Sequence, residues 1–348
     1  MNKHRFFCVV LAILICTTAV YAQGSKEDAK AAEDQQTLTV YAYDSFTGDW
    51  GPGPIIIPQF EEKTGIKVNP VSAGSGVEML QRAVMEKDRP VADVVVGISD
   101  DMAAKALSSG LFEAYDSPML VNIPQFIQFD DSKRLLPFDY GNFAFVYDTE
   151  KIAPAEAPKS LDDLTNPKYK GKVILIDPRT SSVGLGLLLW TIETYGEDGY
   201  LSWWQAMKDN VLTIADGWSS AYGLFTEGEA PLVISYTTSP VYHVMWEDTT
   251  RYQALDFDAG HSATIESAGI LASSKNKDAA RQFIDFLLSD AQLTVATTNT
   301  MYPANSTVIL PEAFDWAPKP EKTLMLSYEA IEKNLDRWLT EWTMTMSK

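Results

Sequence analysis

Short apolar runs alternate with amphipathic stretches along the chain, and their spacing predicts strands and helices in turn. Leu38 to Tyr43 alternates apolar and polar residues, the pattern of a strand. A turn-rich loop follows from Asp44 to Pro54, then a helix that ends before Gly65. Ile66 to Val71 is the next strand, and Gly74-Ser75-Gly76 opens a helix whose apolar residues Val77, Leu80 and Val84 share one side. Ala92 to Gly97 reads as a buried strand and Asp101 to Ser109 as a helix closed by Gly110. This alternation predicts an α/β arrangement with right-handed crossovers.

The pattern changes at Leu136. Leu136 to Tyr147 is a long aromatic alternating strand, suited to crossing into a second lobe. A second α/β series begins there: Ser160 caps a short helix, Val173 to Ile176 is a strand, Asp177 to Ser182 is a polar loop, and Gly184 to Tyr195 is an apolar helix. Trp203 and Trp204 read as packing, and Leu212 to Ala215 is a strand leading to Gly217-Trp218 and a helix. Thr264 to Ala272 is the strand expected to cross back, before helices at Lys277 to Leu288 and Tyr328 to Trp342.

The most polar strand end is Leu232-Val-Ile-Ser-Tyr-Thr-Thr-Ser-Pro-Val-Tyr-His243. Leu232 to Ile234 predicts a buried parallel strand, and Ser239-Pro240 an N-cap with proline at the first helical position. The strand would deliver Tyr236, Thr237, Thr238 and Ser239 into the crevice where open α/β sheets bind ligands. A tight turn whose hydroxyls merely cap the helix is the plainer reading.

At 348 residues the chain is long enough for two lobes. Residues 1–22 read as a secretory signal, with Lys3 and Arg5 before an apolar run and Val20-Tyr21-Ala22 as the cleavage site; lipoprotein anchoring at Cys16 is the alternative. Both cysteines, Cys8 and Cys16, lie in that signal, so the mature chain is expected to carry no thiol, which excludes cysteine nucleophiles, zinc–thiolate sites and disulfides. Residues 23–36 read as a polar tether. Taking the two positive charges of Lys3 and Arg5 from −19 leaves about −21, which argues against nucleic acid and anionic lipid and suits cationic or zwitterionic ligands.

Catalytic chemistry is poorly supplied. His243 and His261 are the histidines beyond the signal, and there is no Gly-x-Ser-x-Gly elbow, phosphate-binding loop or paired-histidine metal motif. Asp93, Asp139 and Asp177 sit at strand ends, where Asp more often caps turns than acts as an acid or base. Binding is better supplied. Gly74-Ser75-Gly76, Thr180-Ser181-Ser182 and Thr237-Thr238-Ser239 form three hydroxyl-lined helix starts, each able to offer amides to an anion. Tyr43, Trp50, Trp218, Tyr236 and Tyr242 fall in or beside these loops, where aromatic faces suit a flat, cationic heterocycle, although Trp50 and Trp218 also read as packing.

On these segments the chain resembles the periplasmic thiamine-binding proteins, the substrate-binding subunits of thiamine ABC importers, over nearly the whole mature length. The shared stretches include Val40 to Phe46, Asp49 to Pro54, Ala92 to Gly97, Pro137 to Gly141, Asp177 to Ser181, Gly184 to Trp190, Gly217-Trp218, Ala221 to Phe225, Ser235 to Pro240 and Met301-Tyr-Pro303. The resemblance implies a type II periplasmic binding protein: two α/β lobes joined by crossing strands, residues 37–139 with 268–348 and residues 140–267, with a ligand cleft between them. It implies no enzymatic activity and no resident cofactor. The expected ligand is thiamine or its phosphates, the expected partners a membrane permease and ATPase, and the expected state a monomer. The expected contacts are Tyr43, Trp50, Ser75, Gly76, Ser181, Ser182, Trp218, Tyr236, Thr237, Thr238, Ser239 and Tyr242. Two positions depart from the family pattern: Ser75 replaces an acidic residue and Thr300 a tryptophan. A hydroxyl in place of a carboxylate at a helix start leads to the expectation that phosphorylated thiamine, including the pyrophosphate, is tolerated or preferred. A ferric-ion binder using Tyr236 and Tyr242, and an exported enzyme using Asp177 or His243, are the alternatives.

Overall fold

The computed structural model describes residues 37–347; the expected signal with Cys8 and Cys16, and the tether, lie outside them. β1 (Thr37–Ala42) leads through one helical turn, α1 (Asp44–Thr47), into α2 (Gly53–Thr64). β2 (Lys67–Ser72), α3 (Gly76–Met85), β3 (Val94–Ser99) and α4 (Ala103–Ser108) complete the first series. β4 (Leu136–Asp148) crosses over, followed by α5 (Leu161–Leu164), β5 (Val173–Ile176), α6 (Ser182–Met207), β6 (Val211–Ala215), α7 (Trp218–Thr226), β7 (Leu232–Tyr236) and α8 (Ser239–Trp246). β8 (Tyr252–Ala254) and β9 (His261–Ile270) lead back to α9 (Lys277–Leu287), α10 (Gln292–Asn299), β10 (Tyr302–Pro303), β11 (Thr323–Leu324) and α11 (Tyr328–Met346).

The sheet runs in the order β2-β1-β3-β9-β4-β7-β5-β6. β1 lies parallel between β2 and β3, and β5 parallel between β6 and β7. Such strands are covered on both faces, which is why β3 is apolar and buried along its whole length. β4 and β9 are the long antiparallel strands that join the two lobes: β4 pairs with β9 through residues 136–142 and with β7 through residues 143–147. Phe46, Phe60, Phe138 and Phe283 fill one core, and Trp190, Trp204 and Phe225 anchor the other.

Three local expectations shift. Gly196, at φ 69° and ψ 177°, breaks the helical path where the apolar helix was expected to end, but the chain resumes helix to Met207. Ser239 is not the N-cap: Thr238 holds that place in helical conformation, so Pro240 is the second helical residue. The last helix, expected with the first lobe, touches both sides. Trp342 meets Trp204 edge to face, Arg337 pairs with Glu197 at 2.8 Å, and Lys208 Nζ donates to the Thr345 carbonyl at 2.9 Å, all on α6 or its end, while the same helix also packs on α4.

Candidate ligand-binding site

Four helix starts converge where the strands of both lobes end, and between them lies a cavity of about 250 Å³. Ten of the twelve expected contacts line it: Tyr43, Trp50, Ser75, Gly76, Ser181, Ser182, Trp218, Tyr236, Ser239 and Tyr242. Thr237 and Thr238 do not. Both are fully buried behind the wall, and the Thr238 hydroxyl points at Met301 Sδ, 3.9 Å away. Because β7 continues two residues past Ile234, Tyr236 reaches the cavity as the last strand residue.

The aromatic wall is a fixed stack. Trp218, the first residue of α7, stacks on Tyr222 at 4.8 Å and 16°, and its indole donates to Ser235 Oγ at 2.8 Å. Ser235 in turn bonds Ser239 Oγ at 2.7 Å, which also accepts from the Tyr236 amide at 3.2 Å. The hydroxyl of Ser239, expected at a helix cap, is therefore committed to holding Trp218 and Tyr236 in place. Trp50 meets Trp218 at 5.5 Å from the opposite lobe. Tyr236 stacks on Phe143 at 5.4 Å.

Ser75 also differs from expectation. It caps α3 in a capping box, with the Glu78 carboxylate accepting from the Ser75 amide at 3.0 Å. Its hydroxyl donates across the cleft to the Thr180 carbonyl. A carboxylate thus still sits at this helix start, and the hydroxyl expected for a phosphate already has a partner. Thr300, at φ 50°, ends α10 in left-handed conformation and lines the cavity beside Met301.

Of the acidic floor the sequence singles out Asp139, which lies inside β4 and not at a strand end, but not Glu266. Glu266 on β9 lines the cavity and accepts from Tyr43 Oη at 2.9 Å. Asn299, at the end of α10, donates to both Tyr43 Oη (2.9 Å) and Asp139 Oδ2 (2.8 Å). Burial pushes Glu266 up to about 7 and holds Tyr43 well above the usual phenol range. A lone acid inside the largely buried strand His261–Ile270 was the available signal. Asp44 and Glu247 also line the cavity, and among the described residues no lysine or arginine does. Ser219, the second residue of α7, lines it with a hydroxyl that has no partner.

The other candidates have structural jobs. Asp93 accepts from the Thr39 amide and Ser274 Oγ, and Asp177 pairs with Arg179. His243 is buried between Tyr222 Oη (2.9 Å from Nε2) and Glu247 (2.6 Å from Nδ1), and burial lowers its pKa. No group of three or more His, Cys, Asp or Glu side chains suited to a metal occurs among the described residues. Burial raises the phenols of Tyr236 and Tyr242.

Gly97 lines the cavity at φ 104°, and a Cβ there would enter the ring of Tyr43. Gly97→Ala is expected to destabilise the protein by roughly 2–4 kcal/mol, combining backbone strain with overpacking. Urea denaturation monitored by tryptophan fluorescence checks this; an unchanged midpoint refutes the account.

Comparison with known proteins matches this geometry. The model for the bacterial extracellular solute-binding protein family fits residues 89–334. The thiamine-binding periplasmic protein of Brucella suis is 41% identical over 323 residues, covering 92% of this chain and 95% of the relative. That of Escherichia coli is 39% identical over 338 residues, covering 97% and 98%. The chain belongs to the periplasmic thiamine-binding protein family. A solved periplasmic thiamin binding protein superposes with a TM-score of 0.84 at 39% identity, covering 90% of this chain and 96% of that one. Within this family the two lobes, crossing strands β4 and β9 and the cleft are the type II periplasmic binding fold, and the relatives are named as binding proteins rather than enzymes. Among the described residues no helix is long and apolar enough to cross a membrane.

Proposed function

We propose that this protein captures thiamine and its phosphate esters in the periplasm and hands them to the permease and ATPase of an ABC importer. Thiamine binding by family members is named at 36–41% identity. The observation that carries the reading to this chain is the cavity itself: Trp50, Trp218, Tyr222 and Tyr236 around acidic side chains, with no lysine or arginine among the described residues of the wall. Flat rings with a cationic centre gain from aromatic faces and from nearby carboxylates. Thiamine has both features.

Phosphate esters are within reach of the helix starts at Ser182 and Trp218, where the positive end of the helix dipole favours an anion. Preference for the pyrophosphate is the expectation from Ser75, whose hydroxyl instead donates to the Thr180 carbonyl. About 250 Å³ is also small beside typical sites of roughly 300–1,000 Å³. Free thiamine and the monophosphate are therefore expected to bind at least as tightly as the pyrophosphate. Parallel calorimetric titrations of ligand-stripped protein test both statements. A pyrophosphate affinity ten or more times that of thiamine would overturn the ordering, and no saturable binding of all three would overturn the function.

A further inference from the structure

We propose that Asp139 and Glu266 together retain a proton in the unliganded cavity and release it to solvent when a cationic ligand enters, so that capture exchanges a proton for a cation. The inference rests on thiamine as the ligand, because its thiazolium ring carries a permanent positive charge.

Asp139 on β4 and Glu266 on β9 are paired directly across the antiparallel ladder. Like charges in that position repel. Asp139 is fully buried and Glu266 is 8% exposed, with its edge on the cavity wall. Asn299 donates to Asp139 and Tyr43 to Glu266, the two carboxyls also interact directly with each other, and among the described residues Asp139 Oδ1 is buried with no separate donor. That orphaned oxygen is an anomaly in an otherwise bonded cluster.

Among the described residues the surrounding elements bring no cation to neutralise the pair. The turn after β3 carries Asp100 and Asp101, themselves bonded to the Ile265 amide and to Ser99. Tyr43 follows β1, Tyr236 ends β7, and Asn299 ends α10. Tyr328 on α11 donates to Asp100. Each ionisable group here is an acid or a phenol. Burial, and then Glu266, hold Asp139 well above the usual carboxylate range. Two buried charges without a counter-ion are costly, so the pair keeps a proton at neutral pH.

A ligand cation beside Glu266 supplies the missing positive charge and favours the ionised pair. Binding then removes a proton, and linkage fixes the sign: affinity falls as pH drops through the range where the free pair takes up that proton, by up to about tenfold per pH unit. Above this range affinity levels off. Neither a merely structural acid pair nor an ion pair with a fixed charge gives this dependence.

The test uses the full mature protein. Thiamine is titrated calorimetrically at pH 7 in phosphate, imidazole and Tris, whose ionisation heats differ, and the carboxyl carbons of Asp139 and Glu266 are followed by NMR against pH without ligand. We expect about one proton released per thiamine bound, and carboxyl resonances that remain at least partly protonated near pH 7. Glu266→Gln should bind thiamine more weakly by about tenfold or more, with near-zero proton release and a flat pH profile. Asp139→Asn gives a second variant, expected to shift Glu266 toward ordinary titration. Thiamine binding with no buffer dependence overturns the inference, as does a pair fully ionised at pH 7. A protonated pair in a protein that does not bind thiamine overturns instead the ligand assignment on which the exchange rests.

Discussion

Replacing Trp218 by alanine is expected to weaken thiamine binding by about 100-fold or more, close to 3 kcal/mol, as measured by calorimetry at fixed pH. The indole is held on two sides before any ligand arrives: Tyr222 backs one face at 4.8 Å and Ser235 fixes its N–H at 2.8 Å. A ligand ring that packs on it gains contact without the ordering cost a mobile side chain would impose. Trp218→Phe separates two contributions. Phenylalanine keeps an aromatic face but loses the hydrogen bond to Ser235, so it should cost about tenfold. Comparable affinity for the alanine variant and the parent protein would mean that the stack is only packing. Trp50, 40% exposed, should matter less because among the described residues Trp218 is its one aromatic contact.

Most of the fold was legible in the chain, because strand runs and amphipathic helices record burial directly. Val173–Ile176 falls where its apolar run lies, and α9 and β4 fall within a residue of their patterns. The shifts came where tertiary geometry overrides pattern. Gly196 stops a helix locally without ending it, and Thr238 takes the capping place because the Ser239 hydroxyl is drawn to Ser235. Within the site, the aromatic residues and helix starts were legible from composition at strand ends. The acidic floor was legible only in part: Asp139 stood out as a candidate acid, but Glu266 in β9 acquires meaning only when the crossing strands pair the two. Ser75 misled for a related reason: its partner, Thr180, is 105 residues away in sequence and belongs to the other lobe.

The same concentration of acids should set how stability varies with pH. Burial pushes Asp100 up to about 6 and Asp101 and Glu193 up to about 7. In the unfolded chain such carboxyls titrate near 4. The folded protein therefore binds more protons than the unfolded chain between roughly pH 4 and 7, so stability is greatest at the acid end of that window and falls as pH rises through it. Asp101→Asn removes one contributor while leaving an acceptor for the Ser99 hydroxyl. It should stabilise the protein by about 2 kcal/mol at pH 8 and change little at pH 4.5, as read from urea unfolding at both values. Equal effects at the two pH values would show that Asp101 is ionised in the fold throughout. A gain confined to pH 8 would mean that the buried Asp101 carboxyl is maintained at a cost to stability.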